Sequence, residues 1–343
     1  MDSTLILVSA IILVALVFDF VNGFHDAANS IATVVATKVL TPAQAVLWAA
    51  GFNFIAAFSV GTGVAKTVGA GMIDLQYVTP LVILAGLVGA ITWDLITWWL
   101  GLPTSSSHAL IGGYGGAAMA RAAHLRGLDR SFDVLIGGAW IKTLVFIVIA
   151  PLMGMALAYG LMIAVYWIFR KARPDRMDRY FRRLQLVSSA ALSFSHGAND
   201  AQKTAGIITG VLVTSGMLAK FEVPPWVIFV SYGAIALGTM SGGWRIVNTM
   251  GSRLTRLKPR SGFCAETAAA ISILFATEYL KLPVSTTHVT AGAIAGVGSI
   301  QRMKAVRWGV ATNILWAWIL TIPASALVGW LTMEGIQFFT NGK

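Results

Sequence analysis

Two stretches of an otherwise apolar chain carry a Pro, a run of hydroxyl residues and a His in the same order: Leu102-Pro-Thr-Ser-Ser-Ser-His108 and Leu282-Pro-Val-Ser-Thr-Thr-His288. They lie 180 residues apart. A second related pair, Asn22-Gly-Phe-His-Asp-Ala-Ala-Asn29 and His196-Gly-Ala-Asn-Asp-Ala-Gln-Lys203, lies 174 apart in the same order, so the whole chain reads as a duplicated unit. A hydroxyl run behind a Pro suits an anion. Pro is favoured at the first position of a helix, the residues after it offer free backbone N–H groups, and Ser and Thr side chains add donors. Thr104, Ser105, Ser106 and Ser107, with Ser285, Thr286 and Thr287, are therefore candidate anion-binding residues. Small hydroxyl residues also serve close helix packing in lipid, but two runs in matching register favour the anion.

Acidic residues supply the second part of the chemistry, because a carboxylate inside a membrane is costly and is paired, faces a cavity or is functional. Asp26 and Asp200 occupy equivalent repeat positions, flanked by Asn22 and Asn29 in one copy and by Asn199 and Gln202 in the other. Carboxylate with amide and backbone oxygens suits a small hard cation such as Na⁺; a lone carboxylate suits a proton. Glu266 and Asp94 have no acidic counterpart in the other copy, and each either pairs across helices or joins the site. Lys203 is a partner for such a carboxylate or a direct contact to the anion.

His25, His108, His196 and His288 all fall inside the motifs, yet the pattern does not make a metal centre. His108 and His288 belong to opposite copies, His25 and His196 are not at equivalent positions, and there is one Cys. The expected role is hydrogen bonding that orients the hydroxyl runs, with proton handling as the alternative. Nor does Ser107 beside His108 make a hydrolase. Adjacent helix residues do not face one another, and no strained Gly-x-Ser-x-Gly elbow is present. The chain is expected not to be an enzyme.

The elements that must position these groups follow from composition. With 57% apolar residues, 11% charged residues and a mean hydropathy of +0.75, the chain reads as a polytopic, all-helical membrane protein. A spanning helix needs about 20 mostly apolar residues. Candidates stand at 4–22, 43–66, 78–100, 133–168, 184–216, 226–250, 262–280 and 308–333, with 262–280 and 284–300 forming a hairpin. Met1-Asp-Ser is not the basic start of a secretory signal, so the first segment is expected to be retained. The net charge of +11 does not indicate nucleic acid, because the basic residues sit in short loops between apolar spans. Residues 170–183 hold seven, 253–260 four and 301–307 three, and the positive-inside rule makes these loops cytoplasmic.

Two inverted-topology repeats, 1–169 and 184–343, joined by a basic cytoplasmic linker at 170–183, satisfy that pattern and put both termini outside. Arg121, Arg126 and Arg130 resist it, since their loop is then external. Broken helices whose ends meet near the bilayer midplane are a recurrent transporter device for holding anions and cations. Glycine-rich Ile111-Gly-Gly-Tyr-Gly-Gly116 and Gly292-Ala-Ile-Ala-Gly296 read as close helix contacts rather than a nucleotide loop.

These motifs, in this order and duplicated, resemble the inorganic phosphate transporters usually called PiT, in their compact bacterial form. The resemblance rests on Asn22 to Thr33, Gly101 to Gly112, Ser195 to Lys203 and Leu282 to His288, and takes in Leu237-Gly-Thr-Met240 and the helix at Glu266. It implies cation-coupled phosphate uptake in a bacterial cytoplasmic membrane, two helical hairpins, external termini and a homodimer. It also places a coupling cation, sodium or proton, at Asp26, Asn29, Asn199 and Asp200, and phosphate at the hydroxyl runs, with no other cofactor. His25 stands where other members have Asn before the Asp, and the short 170–183 segment lacks the large loop of some relatives.

Coupling also follows from energetics. A phosphate dianion entering against an inside-negative potential faces roughly 4.6 kcal/mol per 100 mV, so co-transported cations must at least cancel its charge. A carboxylate acceptor, Glu266 or an Asp, would reward the O–H of monoprotonated phosphate and repel sulfate. Sulfate symport and a passive anion channel are the rival functions, and paired carboxylates argue against a simple anion pore.

Overall fold

A computed structural model of the chain describes residues 3–59, 61–301 and 306–341. The first half contributes α1 (Ser3–His25), α2 (Ala27–Ala36), α3 (Pro42–Ile55), α4 (Gly63–Ala70), α5 (Pro80–Leu100), α6 (Ser106–Arg126) and α7 (Gly137–Ile168). The second half contributes α8 (Pro174–Thr214), α9 (Pro225–Ser241), α10 (Trp244–Asn248), α11 (Pro259–Glu278), α12 (Thr286–Gln301) and α13 (Trp308–Asn341). In chain order α1 with α2 corresponds to α8, and α3 to α7 correspond one by one to α9 to α13. The packing is paired in the same way. α13 lies on α5 and α6 while α7 lies on α11 and α12; α1 meets α9 while α8 meets α3; α4 meets α8 while α10 meets α2.

Among the described residues, Ser3–Ala36, Pro80–Leu100, Gly137–Ile168 and Trp308–Thr340 are long and apolar enough to cross a membrane. Two bent pairs, Pro42–Phe58 with Gly63–Ala70 and Pro225–Ser241 with Trp244–Arg253, raise the number of candidate spans to six. Leu13, Ile141, Val148, Trp167, Trp316 and Phe338 are exposed on α1, α7 and α13, as helices solvated by hydrocarbon require. The helix carrying Asp200 packs instead against α11, α4, α3, α9 and α1. Its Ser188, Ser193, Ser195, Asn199 and Thr204 lower its hydropathy but lie inside the protein, away from lipid.

Several sequence boundaries move. Residues 174–183, expected as linker, are the first turns of the 41-residue α8. Their helical signal is the spacing of Met177 and Phe181, both buried, which the surrounding charges mask. The spans expected at 43–66 and 226–250 are each interrupted; the second bends by 63° after Ser241, where Gly242 has φ +67°. The two copies of the Asp motif lie differently in their helices. Asp26 separates α1 from α2, whereas Asp200 lies within continuous α8.

Pro103 and Pro283 do not start helices. Proline biases its predecessor away from α, and the N-cap falls two residues later: Ser105 Oγ and Ser285 Oγ accept from the backbone N–H of His108 and His288 at 3.3 and 3.1 Å. Both hairpins, α5–α6 and α11–α12, therefore turn through extended segments that end in a capping Ser.

The ends of the hairpins are also located. Asp74 N–H donates to Val134 O at 2.9 Å and Ile136 N–H to Met72 O at 3.0 Å, so the end of α6 returns beside the start of α5. α7 then runs about 48 Å by helix rise to residues 170–173, away from Arg121 in α6 and Arg130 beyond it. Arg182 donates to Lys38 O at 2.5 Å, and Arg307 N–H to Leu254 O at 3.0 Å. Of the basic 301–307 segment, Arg302 and Lys304 lie outside the described residues, as do the terminal Met1 and Lys343.

Candidate functional site

The hydroxyl runs, 180 residues apart in sequence, converge on the two Asp motifs. Thr104, Ser105, Ser106, Ser107, Ser285, Thr286 and Thr287 are all buried, as are Asp26, Asn29, Asn199, Asp200 and Lys203. Within each half the second arm of the hairpin donates to its own carboxylate: Ser106 Oγ to Asp26 Oδ1 at 3.3 Å, and Thr286 Oγ1 to Asp200 Oδ2 at 3.3 Å. Across the halves the contacts are exchanged. Asn29 Nδ2 donates to Thr286 Oγ1 at 3.1 Å and Thr287 Oγ1 at 2.8 Å, while Lys203 Nζ donates to Ser107 Oγ. The four motifs thus form one cluster.

The residue before each Asp is held from the first arm of its hairpin. His25 Nε2 lies 3.0 Å from Thr97 Oγ1, and Asn199 Nδ2 donates to Thr277 Oγ1 at 2.7 Å. His25 Nδ1 is 2.7 Å from Asp26 Oδ1, and Thr104 Oγ1 donates to Thr97 Oγ1 at 2.9 Å. His196 Nε2 is 3.1 Å from Asp200 Oδ2. Ligand atoms of Asp26, His196 and Asp200 lie within 4.8 Å of one another. The amide oxygens of Asn22 and Asn199 are buried and accept no hydrogen bond. Carboxylates with free amide oxygens fit a small hard cation at this cluster.

Other expected site residues behave differently. Glu266 accepts from Thr33 on α2 at 2.6 Å and, near the start of α8, from Gln185 at 2.8 Å and Ser188 at 2.5 Å. Its three donors lie outside the hydroxyl runs, although Thr33 stands one turn of α2 beyond Asn29, which donates to Thr286 and Thr287. Gln202 is turned to α4, whose Val64 N–H donates to its Oε1 at 3.0 Å; it caps a helix instead of flanking a cation. His108 and His288 orient the hydroxyl runs only through their backbone N–H groups. Their rings meet at 4.9 Å, and that of His288 stacks on Trp318 at 3.8 Å. Asp94 is buried beside His25 and Ser106 and joins the first-half cluster.

Sequence reasoning missed three participants. Asp19 is buried next to Thr204 and Asn22, and the rule that singled out Asp94 and Glu266 would have found it. Thr97 and Thr277 stand at equivalent repeat positions, a signal available from the same duplication.

Comparison with known proteins gives the family of the chain. The sequence profile of the "Phosphate transporter family" matches residues 22–329. A protein of Rhizobium meliloti (strain 1021) named "Probable low-affinity inorganic phosphate transporter" is 53% identical over 331 residues, covering 96% of each chain. One of Bacillus subtilis (strain 168) with the same name is 42% identical over 332 residues, covering 96% of this chain and 97% of that one. A solved structure named "The sodium-dependent phosphate transporter" shares the fold, with a TM-score of 0.84 at 23% identity over 97% of this chain and 99% of that one. The chain with these converging hydroxyl runs and carboxylates belongs to the phosphate transporter family and is a transmembrane phosphate transporter, not an enzyme.

Proposed function

We propose that this chain imports inorganic phosphate across a bacterial cytoplasmic membrane by cation-coupled alternating access, with two inverted repeats enclosing one central site and a homodimer as the assembly. The observation that carries this reading is the exchange of contacts between halves: the donors of each hydroxyl run are held by the Asp motif of the other. Phosphate sits between the two runs, on Ser106, Ser107, Thr286 and Thr287 and their helix N-termini. The coupling cation sits at Asp26 and Asp200 with the oxygens of Asn22 and Asn199. Loading it supplies the positive charge that entry of a multivalent anion requires, and removing it leaves two carboxylates that repel phosphate.

The structural relative's name favours sodium, and the oxygen-rich cluster is compatible with it. Phosphate is preferred over sulfate because the carboxylates bordering the runs accept the O–H that only phosphate retains. The acceptor for that proton is an Asp of the cluster, Asp26, Asp94 or Asp200, of which Asp94 has both oxygens without a hydrogen bond to any described residue.

Reconstituted protein should accumulate labelled phosphate under a Na⁺ or pH gradient and not without one, and excess sulfate should not suppress it. Asp200→Asn should reduce uptake at least roughly a hundredfold, as loss of a buried charge partner does, while still inserting in the membrane. Coupled uptake retained by that variant would sink the assignment; uptake that only equilibrates would make the protein a channel.

A further inference from the structure

The two Asp motifs differ three residues after the carboxylate, where one copy has Asn29 and the other Lys203. The hydroxyl contacts of the two carboxylates are mirrored, Ser106 with Asp26 and Thr286 with Asp200, while His25 stands before one Asp and Asn199 before the other. Asn29 brings a neutral amide to the opposite hydroxyl run. Lys203 brings a positive charge, wholly buried, and Nζ donates to Asp200 Oδ1, Ser107 Oγ and, at 3.3 Å, Val284 O. One carboxylate, one hydroxyl and one main-chain carbonyl from an extended break are the kind of oxygens transporters present to a coupling ion.

We propose that the Lys203 ammonium is a resident cation standing in for one metal ion on the Asp200 side. A metal ion on Asp200 Oδ1 would face that ammonium at contact distance, where Coulomb repulsion excludes it. The neighbouring charges are consistent with a fixed cation. The carboxyl groups of Asp19 on α1 and Asp26 at the α1–α2 junction and the imidazoles of His108 on α6 and His196 on α8 are the other titratable groups around it. The chain therefore binds at most one sodium ion in this cluster, at Asp26 and the face of Asp200 turned away from Lys203, and the second cation of a symmetric pair is built into the polypeptide. This inference rests on the phosphate transport reading and specifies its ion requirement.

The test is equilibrium binding of labelled phosphate to purified protein at fixed pH and ionic strength, with Na⁺ exchanged for choline. Wild-type binding should respond to Na⁺ with a Hill slope no greater than about one. In Lys203→Gln, binding without Na⁺ should fall roughly tenfold or more, as truncating one member of a buried charge pair does. Added Na⁺ should restore it, with the slope raised by about one as the metal takes the vacated place. A wild-type slope near two overturns the proposal, and decides the matter even if the variant does not fold. So does a folded, monodisperse variant that binds as the wild type does without Na⁺, or one that Na⁺ fails to rescue; the last makes Lys203 a direct phosphate contact. Absence of phosphate binding by the wild type at every Na⁺ concentration is a separate result, and it removes the transport reading together with this one.

Discussion

Glu266 keeps a carboxylate inside the protein by accepting from Thr33, Gln185 and Ser188, while Lys203 keeps an ammonium there by donating to Asp200, Ser107 and Val284 O. Both residues stand out in a sequence with 11% charged residues, yet their roles separate only through their partners. Truncation distinguishes them. Glu266→Ala strands three buried donors and should destabilise the fold by on the order of 3 kcal/mol, read as a lower melting temperature of the purified protein. Its ratio of phosphate to sulfate binding should not change, because its donors do not belong to the hydroxyl-run cluster. A changed ratio would return Glu266 to the selectivity role that sequence alone allowed it.

Hairpin arms α6 and α12 lie on α13 and α7 at distances that only glycine permits. A Cβ on Gly292 would come 2.1 Å from Pro151 O, and one on Gly116 2.0 Å from Ala326 O. Neither oxygen can rotate away, since both are main chain. Gly292→Val should therefore cost about 1–3 kcal/mol through overpacking, seen in thermal unfolding in detergent, with phosphate uptake falling in parallel. Gly160→Ala, in α7 with nothing within 4 Å of the new methyl group, should be neutral or stabilise by up to about 1 kcal/mol. Equal effects at the two positions would show that α12 does not rest on α7 this closely. The glycines were legible as packing residues from their spacing. The extent of α6 was not, because Ser, Gly and Ala give a buried helix too little hydropathy to register as a span.

At the scale of the molecule, orientation depends on which end carries the positive charge. Arg182 touches Lys38 O, gathering the start of α8 and the end of α2 at one end, and the length of α7 separates them from Arg121 and Arg126 in the last turns of α6 and Arg130 just beyond. If the first end is cytoplasmic, Leu128→Cys in intact cells should react with a membrane-impermeant maleimide and Arg176→Cys should not. Both positions are exposed, and the native Cys264 is buried and gives no background. The reverse labelling pattern would invert the whole orientation.

Membrane class, duplication, the hydroxyl runs and the Asp motifs were all determined by the sequence alone, because composition and local order state them without reference to any other part of the chain. Even the helical start of α8 was encoded there, in Met177 and Phe181, beneath charges that resembled a linker. Only the tertiary structure decided that Asn29 reaches Thr287, that Lys203 reaches Ser107, that Gln202 caps α4 and that Glu266 stands apart. Each of those facts pairs a residue with one on another helix. Such pairings are set by how the helices pack, through close glycine contacts and capped breaks whose sum no single segment specifies.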